Sequence, residues 1–155
     1  MKNDDKILII GIGNSGRQDD GLGWELLDSF SEESLESIEL SYKYQLQIED
    51  ADLICKYDRV IIVDAVKHKI DEGYYFKECK PSSQYSFTTH ELLPETILFL
   101  ANNLYCKDPQ VFILGIEGFE WNLKIGLSTD AKLNLEKAKI FLNKKIVEFS
   151  NVESF

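Results

Sequence analysis

The sequence predicts an α/β protein, a three-layer sandwich in which helices cover both faces of a mostly parallel, twisted sheet. Short continuous apolar runs at residues 7–10, 60–63 and 111–116 are typical of strands that are buried on both faces. Segments whose apolar residues recur at helical spacing separate these runs. Because strands that alternate with helices are joined by right-handed crossovers, the pattern favours a parallel sheet over hairpins.

The remaining elements follow from the same kind of pattern. Pro94 suits the first turn of a helix, and Ser128 can cap the long final helix. The other segments are predicted as a helix from residue 22 to 30, a strand at 38–44, a short helix at 48–56 and an antiparallel or edge strand at 74–79.

Length and composition exclude several classes of function. The 155 residues fit a single domain spanning residues 1–155. A formal net charge of -10 disfavours binding to nucleic acid or to an anionic membrane surface. Apolar runs stay short of a membrane span, and the first residues do not resemble a signal peptide. The three cysteines, Cys55, Cys79 and Cys106, are interpreted as reduced thiols of a cytosolic protein, which we expect to be a monomer.

The loop after the first strand has the spacing of a dinucleotide-binding motif. Gly11, Gly13 and Gly16 form G-x-G-x-x-G. The motif expects an acid about 20 residues further on, and residues 42–44 (Tyr-Lys-Tyr) offer none. Asp19 and Asp20 would repel a pyrophosphate at the following helix. The loop therefore suits a cation better than a nucleotide, although two acids that merely cap the helix are the simpler interpretation of the pair alone.

Three residues are predicted to meet at one edge of the sheet. Asp20 follows the first strand, Asp64 ends the apolar run at 60–63, and His90 ends a long polar loop before the Pro94 helix. Ligands of open parallel sheets bind outside the carboxyl ends of the strands. Two carboxylates and one imidazole suit a borderline metal such as zinc or nickel and leave positions open for water or substrate. The residues alone thus predict a metal-assisted hydrolase.

Four segments that include these residues resemble motifs of the hydrogenase maturation proteases. ILIIGIGNSGRQDDGLGWELLDSF is similar to the start of that family, and VIIVDAV is similar to its second motif. THELLPETILFLANNLY resembles its third motif, a histidine before an apolar helix, and GIEGFEWNLKIGLSTDA resembles its fourth region. The four segments occur in the family's order, and the resemblance extends over nearly the whole chain.

The resemblance implies an endopeptidase that removes the C-terminal extension of a nickel-loaded [NiFe]-hydrogenase large-subunit precursor. The family's metal-contacting and catalytic positions fall on Asp20, Asp64 and His90. Nickel is supplied by the substrate, and no tightly bound cofactor of the enzyme is expected. The resemblance also implies aspartyl endopeptidase activity. The nucleophile is not identified, and Cys55 and Cys106 are expected to be core thiols.

Two departures and two alternatives remain. The first acid is glutamate in some members and Asp20 here, and their D-G-G-T segment is replaced by residues 44–47 (Tyr-Gln-Leu-Gln), which we expect to line the substrate groove. A non-catalytic module that binds a metalloprotein is the main alternative, because one fold hosts many functions. Dinucleotide binding at residues 11–16 is the other.

Overall fold

The computed structural model describes residues 6–31, 37–82, 92–105 and 108–153. Its elements follow each other as β1 (Ile7–Ile12), a 3₁₀ segment (Ser15–Gly21), α1 (Leu22–Ser31), β2 (Ile38–Lys43), α2 (Asp50–Ile54), β3 (Arg59–Val66), β4 (Tyr74–Glu78), α3 (Pro94–Leu104), β5 (Gln110–Glu117) and α4 (Thr129–Glu153). The predicted alternation of strands and helices is confirmed. Within the described ranges, no helix is both long and apolar enough to cross a bilayer.

The strands form one sheet in the order β2-β1-β3-β5-β4. The first four strands in that order are parallel, and β4 pairs antiparallel with β5 at the edge of the sheet. The predicted antiparallel edge strand is therefore confirmed. Since the parallel strands point the same way, the loops after β1, β3 and β5 leave from a common edge, which we call the carboxyl edge.

Alternate residues of the strands pack into two separate apolar cores. On one face, Ile9 of β1 and Ile61 of β3 pack with α1 and α4, which contribute Leu26 and Leu142. On the other face, the neighbouring side chains Leu8, Ile10 and Ile62 pack with α2 and α3. Because strand side chains alternate in direction, a continuous apolar run serves both cores at once. The helices on both faces agree with the predicted sandwich.

Both predicted helix starts are confirmed, and some boundaries differ. Pro94 opens α3, and the Ser128 hydroxyl accepts a hydrogen bond from the Ala131 N–H at 3.2 Å. The helix predicted at 48–56 is shorter, at Asp50–Ile54. Strand β3 continues past Asp64, which pairs with Gly115 of β5 and does not mark the end of the strand. The strand extends because β5 runs beside it as far as Glu117, and Gly118 N–H then donates to the Val66 carbonyl at 2.9 Å.

Candidate active site

A cleft of about 540 Å³ opens at the carboxyl edge, and both predicted acids line it. Asp20 comes from the 3₁₀ segment after β1, and Asp64 comes from β3, the strand that pairs with β1. Tyr44, Gln45 and Leu46, which stand in the place of the D-G-G-T segment, line the same cleft. The structure thus brings two of the three predicted site residues together.

His90, the third predicted residue, lies outside the described part of the chain. Leu92 and Leu93, the next described residues after it, line the cleft together with Pro94 and Glu95 of α3. Among the described residues, no three His, Cys, Asp or Glu side chains form a group that could hold a metal ion. The proposed metal-contacting set therefore consists of two located carboxylates and one imidazole that the structure does not describe.

Tyr75 is a cleft residue that the sequence analysis missed. It lies on β4 and lines the cleft with Asp64. Burial raises the pKa of the Tyr75 phenol, and the negative charges of Asp64 and Glu95 raise it further. The phenol therefore keeps its proton at neutral pH and is available as a hydrogen-bond donor. Only the antiparallel pairing of β4 brings this residue to the site, so no local sequence signal could have identified it.

Asp19 has a structural role that the sequence analysis did not assign. Its carboxylate is fully buried and accepts hydrogen bonds from the Phe119 N–H at 2.7 Å and the Glu120 N–H at 2.9 Å. It also accepts from the Ser128 N–H at 2.8 Å and the Ser128 hydroxyl at 2.7 Å. Burial by itself raises the pKa of Asp19, but these hydrogen bonds outweigh it and hold the pKa below the ordinary value of 3.8. Asp19 is therefore an ionised anchor that ties the loop carrying Asp20 to the region between β5 and α4.

Gln18 makes a second connection between the same two loops. Its backbone N–H donates to the Lys124 carbonyl at 2.9 Å, and its side-chain oxygen accepts from the Asn122 N–H at 2.9 Å. The side-chain amide donates to Glu120 at 3.1 Å. The residue has φ 50° and ψ -116°, a backbone conformation that residues other than glycine rarely adopt. The surrounding hydrogen bonds hold this strained backbone two residues before Asp20.

Gly13 allows the loop after β1 to fold back against Asp20. Its φ is 150°, and a Cβ added there would lie 1.9 Å from the Asp20 carbonyl oxygen. Added Cβ atoms at Gly11 and Gly21 would also come within 2.9 Å of backbone atoms, of Gly23 and Ser15 respectively. The three glycines therefore serve backbone geometry. The loop packs against its own chain, whereas a nucleotide-binding loop would leave room for a pyrophosphate.

We expect Gly13→Ala to lower the free energy of unfolding by about 2 kcal/mol or more, and Gly13→Val to lower it further, because the side chain requires Asp20 to move. Denaturant unfolding monitored by circular dichroism measures the effect. Gly16→Ala is the matched control, since an added Cβ there meets only the Asn14 side chain at 3.2 Å. Equal stability of the Gly13→Ala and Gly16→Ala proteins would contradict the close approach.

The two described cysteines are shielded from solvent to different degrees. Burial raises the pKa of Cys79 to about 12, so its thiol stays protonated at neutral pH. The Cys55 thiol is partly buried and donates to the Ala101 carbonyl at 3.9 Å. Cys106 lies outside the described residues. These environments are typical of core thiols, as expected for Cys55.

The fold that carries this cleft is the fold of hydrogenase maturation endopeptidases. The maturation protease HycI of Thermococcus kodakarensis superposes with a TM-score of 0.69 at 20% identity, covering 95% of each chain. The endopeptidase HybD of Escherichia coli superposes with a TM-score of 0.68 at 18% identity, covering 92% of this chain and 93% of its own. These similarities establish the α/β fold class that the sequence predicted.

A similarity in sequence points to the same proteins. The chain is 28% identical over 152 residues to a protein of Methanocaldococcus jannaschii that is named as a candidate hydrogenase maturation protease. The match covers 89% of this chain and 94% of the relative. No family model matches the chain. The resemblance to hydrogenase maturation proteases, first drawn from four sequence segments, is confirmed.

Proposed function

We propose that this protein is an endopeptidase that removes the C-terminal extension of a nickel-loaded [NiFe]-hydrogenase large-subunit precursor. The observation that carries the proposal is the presence of Asp20 and Asp64, from two separate sequence motifs, in one open cleft at the carboxyl edge. Parallel α/β proteins place their ligand sites at this edge. The similarity to named maturation proteases over nearly the whole chain supplies the substrate class.

In this proposal nickel is part of the substrate. Asp20, Asp64 and His90 complete the coordination of the nickel that the precursor carries, since carboxylates and imidazole suit a borderline metal. Docking of the metal places the adjoining peptide segment in the cleft, so that positioning lowers the barrier to hydrolysis. A cleft carboxylate accepts a proton from the attacking water. In this proposal the protonated phenol of Tyr75, which lines the same cleft, donates a hydrogen bond to the substrate.

The non-catalytic module is the alternative from another class. In this alternative the same cleft recognises a metalloprotein, but the bound precursor is released uncut. The acids at Asp20 and Asp64 favour the enzyme, because a carboxylate can accept a proton from the attacking water and an amide cannot. The dinucleotide alternative predicts saturable binding of NAD, which the packed Gly13 loop and the cleft acids disfavour. The cytosolic location and the monomeric state stay predictions from the sequence.

We expect the wild-type protein to shorten the nickel-loaded precursor and to leave the apo precursor uncut. The reason is differential interaction, because the three protein ligands gain a bonding partner only in the loaded state. Electrophoresis and mass spectrometry of the two precursor forms, incubated with equal amounts of enzyme, measure the difference. Equal cleavage of both forms would contradict recognition through nickel, and tight binding without any cleavage would favour the non-catalytic module.

A further inference from the structure

The loop at residues 118–126 carries the most exposed large apolar side chains in the described part of the chain. Leu123 is 79% exposed and Ile125 is 86% exposed, and Phe119 in the same loop is 43% exposed. The loop leaves β5 at the carboxyl edge, and its Trp121 lines the cleft. Exposed apolar side chains are common singly, but three on one loop beside a cleft indicate an interaction surface.

Hydrogen bonds to the 3₁₀ segment fix the backbone of this loop. The buried Asp19 carboxylate accepts from Phe119 and Glu120, and Gln18 bonds to Asn122 and Lys124. The apolar side chains therefore project from an anchored backbone. A surface that is ordered before binding loses less conformational entropy when a partner docks, which favours its use in recognition.

Three basic side chains lie in or beside the loop, although the chain has a formal net charge of -10. Lys124 stands between Leu123 and Ile125 and is exposed. The Lys67 ammonium lies 5.2 Å from the Trp121 ring centroid, and the Arg17 guanidinium donates to the Trp121 carbonyl at 3.4 Å. Glu120, the acid in the loop, is hydrogen bonded to Gln18. This rim of the cleft thus combines apolar and basic side chains.

We propose that Phe119, Leu123, Lys124 and Ile125 form a docking ridge for the folded body of the protein substrate. The inference rests on the proposed function. When the C-terminal segment of a precursor enters the cleft, the folded body of the precursor must lie against the rim of the cleft. Trp121 lines the cleft and belongs to the same loop as the ridge. The ridge fits an apolar patch flanked by acidic side chains, since opposite charges steer association and fix register. A second copy of this chain on the ridge would cover the Trp121 wall of the cleft and hinder substrate entry.

Steady-state cleavage of the nickel-loaded large-subunit precursor from the same organism tests the ridge. We expect the double variant Leu123→Ser/Ile125→Ser to raise KM about tenfold or more with kcat within about twofold, because burying one leucine or isoleucine contributes that much or more to binding. Lys124→Glu should also raise KM, and its effect should shrink as salt screens the charge. The matched control is Leu133→Ser/Ile140→Ser on α4, where both residues are 59% exposed and neither lines the cleft.

The outcomes separate the ridge from the proposed function. Failure of the wild type to cut the loaded precursor removes the proposed function, and the ridge with it. Normal cutting by the wild type with an unchanged KM for Leu123→Ser/Ile125→Ser overturns the ridge alone. An equal increase in KM for the α4 control also overturns the ridge. The ridge is overturned as well if the wild type is a dimer and the ridge variants are monomers. Thermal unfolding of each variant is compared with that of the wild type, and an unchanged unfolding temperature shows that the variant keeps its fold.

Discussion

Replacing Asp64 or Asp20 with asparagine is expected to lower the rate of precursor processing about 100-fold or more, with the fold preserved. Loss of a supporting contact around a metal commonly lowers affinity or activity 10- to 100-fold, and loss of a direct ligand should exceed that. Asparagine keeps the size of the side chain and one oxygen that can accept the Ala65 N–H, which donates to Asp64 at 2.8 Å. The change therefore removes charge with little effect on packing.

Single-turnover cleavage of loaded precursor by each variant measures this effect. His90→Ala belongs to the same series, because the resemblance places it with the two acids. Asp52→Asn is the matched control, since Asp52 forms an exposed ion pair with Lys56 at 3.6 Å on α2. If Asp20→Asn and Asp64→Asn both process the precursor at the wild-type rate, the cleft carboxylates have no part in the reaction. The double variant should lose little more than either single one, because residues that act as a unit are not additive.

The second large effect concerns Asp19. We expect Asp19→Ala to lower the free energy of unfolding by about 3 kcal/mol or more, because the N–H groups of Phe119, Glu120 and Ser128 lose a charged acceptor in a buried position. Asp19→Asn should also destabilise the protein, since one carboxylate oxygen becomes a donor facing other donors. Chemical denaturation at pH 7 measures both, and Asp52→Asn again serves as the surface control.

Because the pKa of Asp19 is lowered in the folded protein, the contribution of its carboxylate to stability depends on pH. A carboxyl group whose pKa is lower in the folded state stabilises the fold above its unfolded pKa, near 3.8. That contribution is lost as the pH falls below this value, through the pKa of the folded state. We therefore expect the stability gap between wild type and Asp19→Asn to be full at pH 5–7 and to narrow below about pH 4. A gap that stays constant down to pH 2 would show that the charge on Asp19 does not stabilise the fold.

Loss of the Asp19 anchor should reduce activity as well as stability. The anchor holds the loop that carries Asp20, and it also fixes the backbone of the ridge loop at Phe119 and Glu120. Under conditions where Asp19→Asn remains folded, a fall in kcat would indicate that Asp20 has shifted. A rise in KM would indicate that the ridge has loosened.

The sequence alone determined the architecture and the location of the candidate site. Apolar runs identified β1, β3 and β5, because strands that are buried on both faces are apolar at successive positions and do not alternate with polar residues. The antiparallel edge strand, the start of α3 at Pro94 and the Ser128 cap were also predicted correctly. The placing of Asp20 and Asp64 at one edge followed from parallel strands alone, since parallel strands all end on the same side.

Only the tertiary structure decided what Asp19 does. The sequence had already singled out its neighbour Asp20 for the candidate site, but it offered no more for Asp19 than the capping of a helix. The partners of Asp19 are Phe119, Glu120 and Ser128, at sequence separations of 100, 101 and 109 residues. Contacts over such separations depend on how the loops after β1 and β5 meet, which no local pattern encodes. The same holds for Tyr75, whose place beside Asp64 depends on β4 joining the sheet next to β5. Burial and hydrogen bonding then assign one acid to the anchor and leave the other in the cleft.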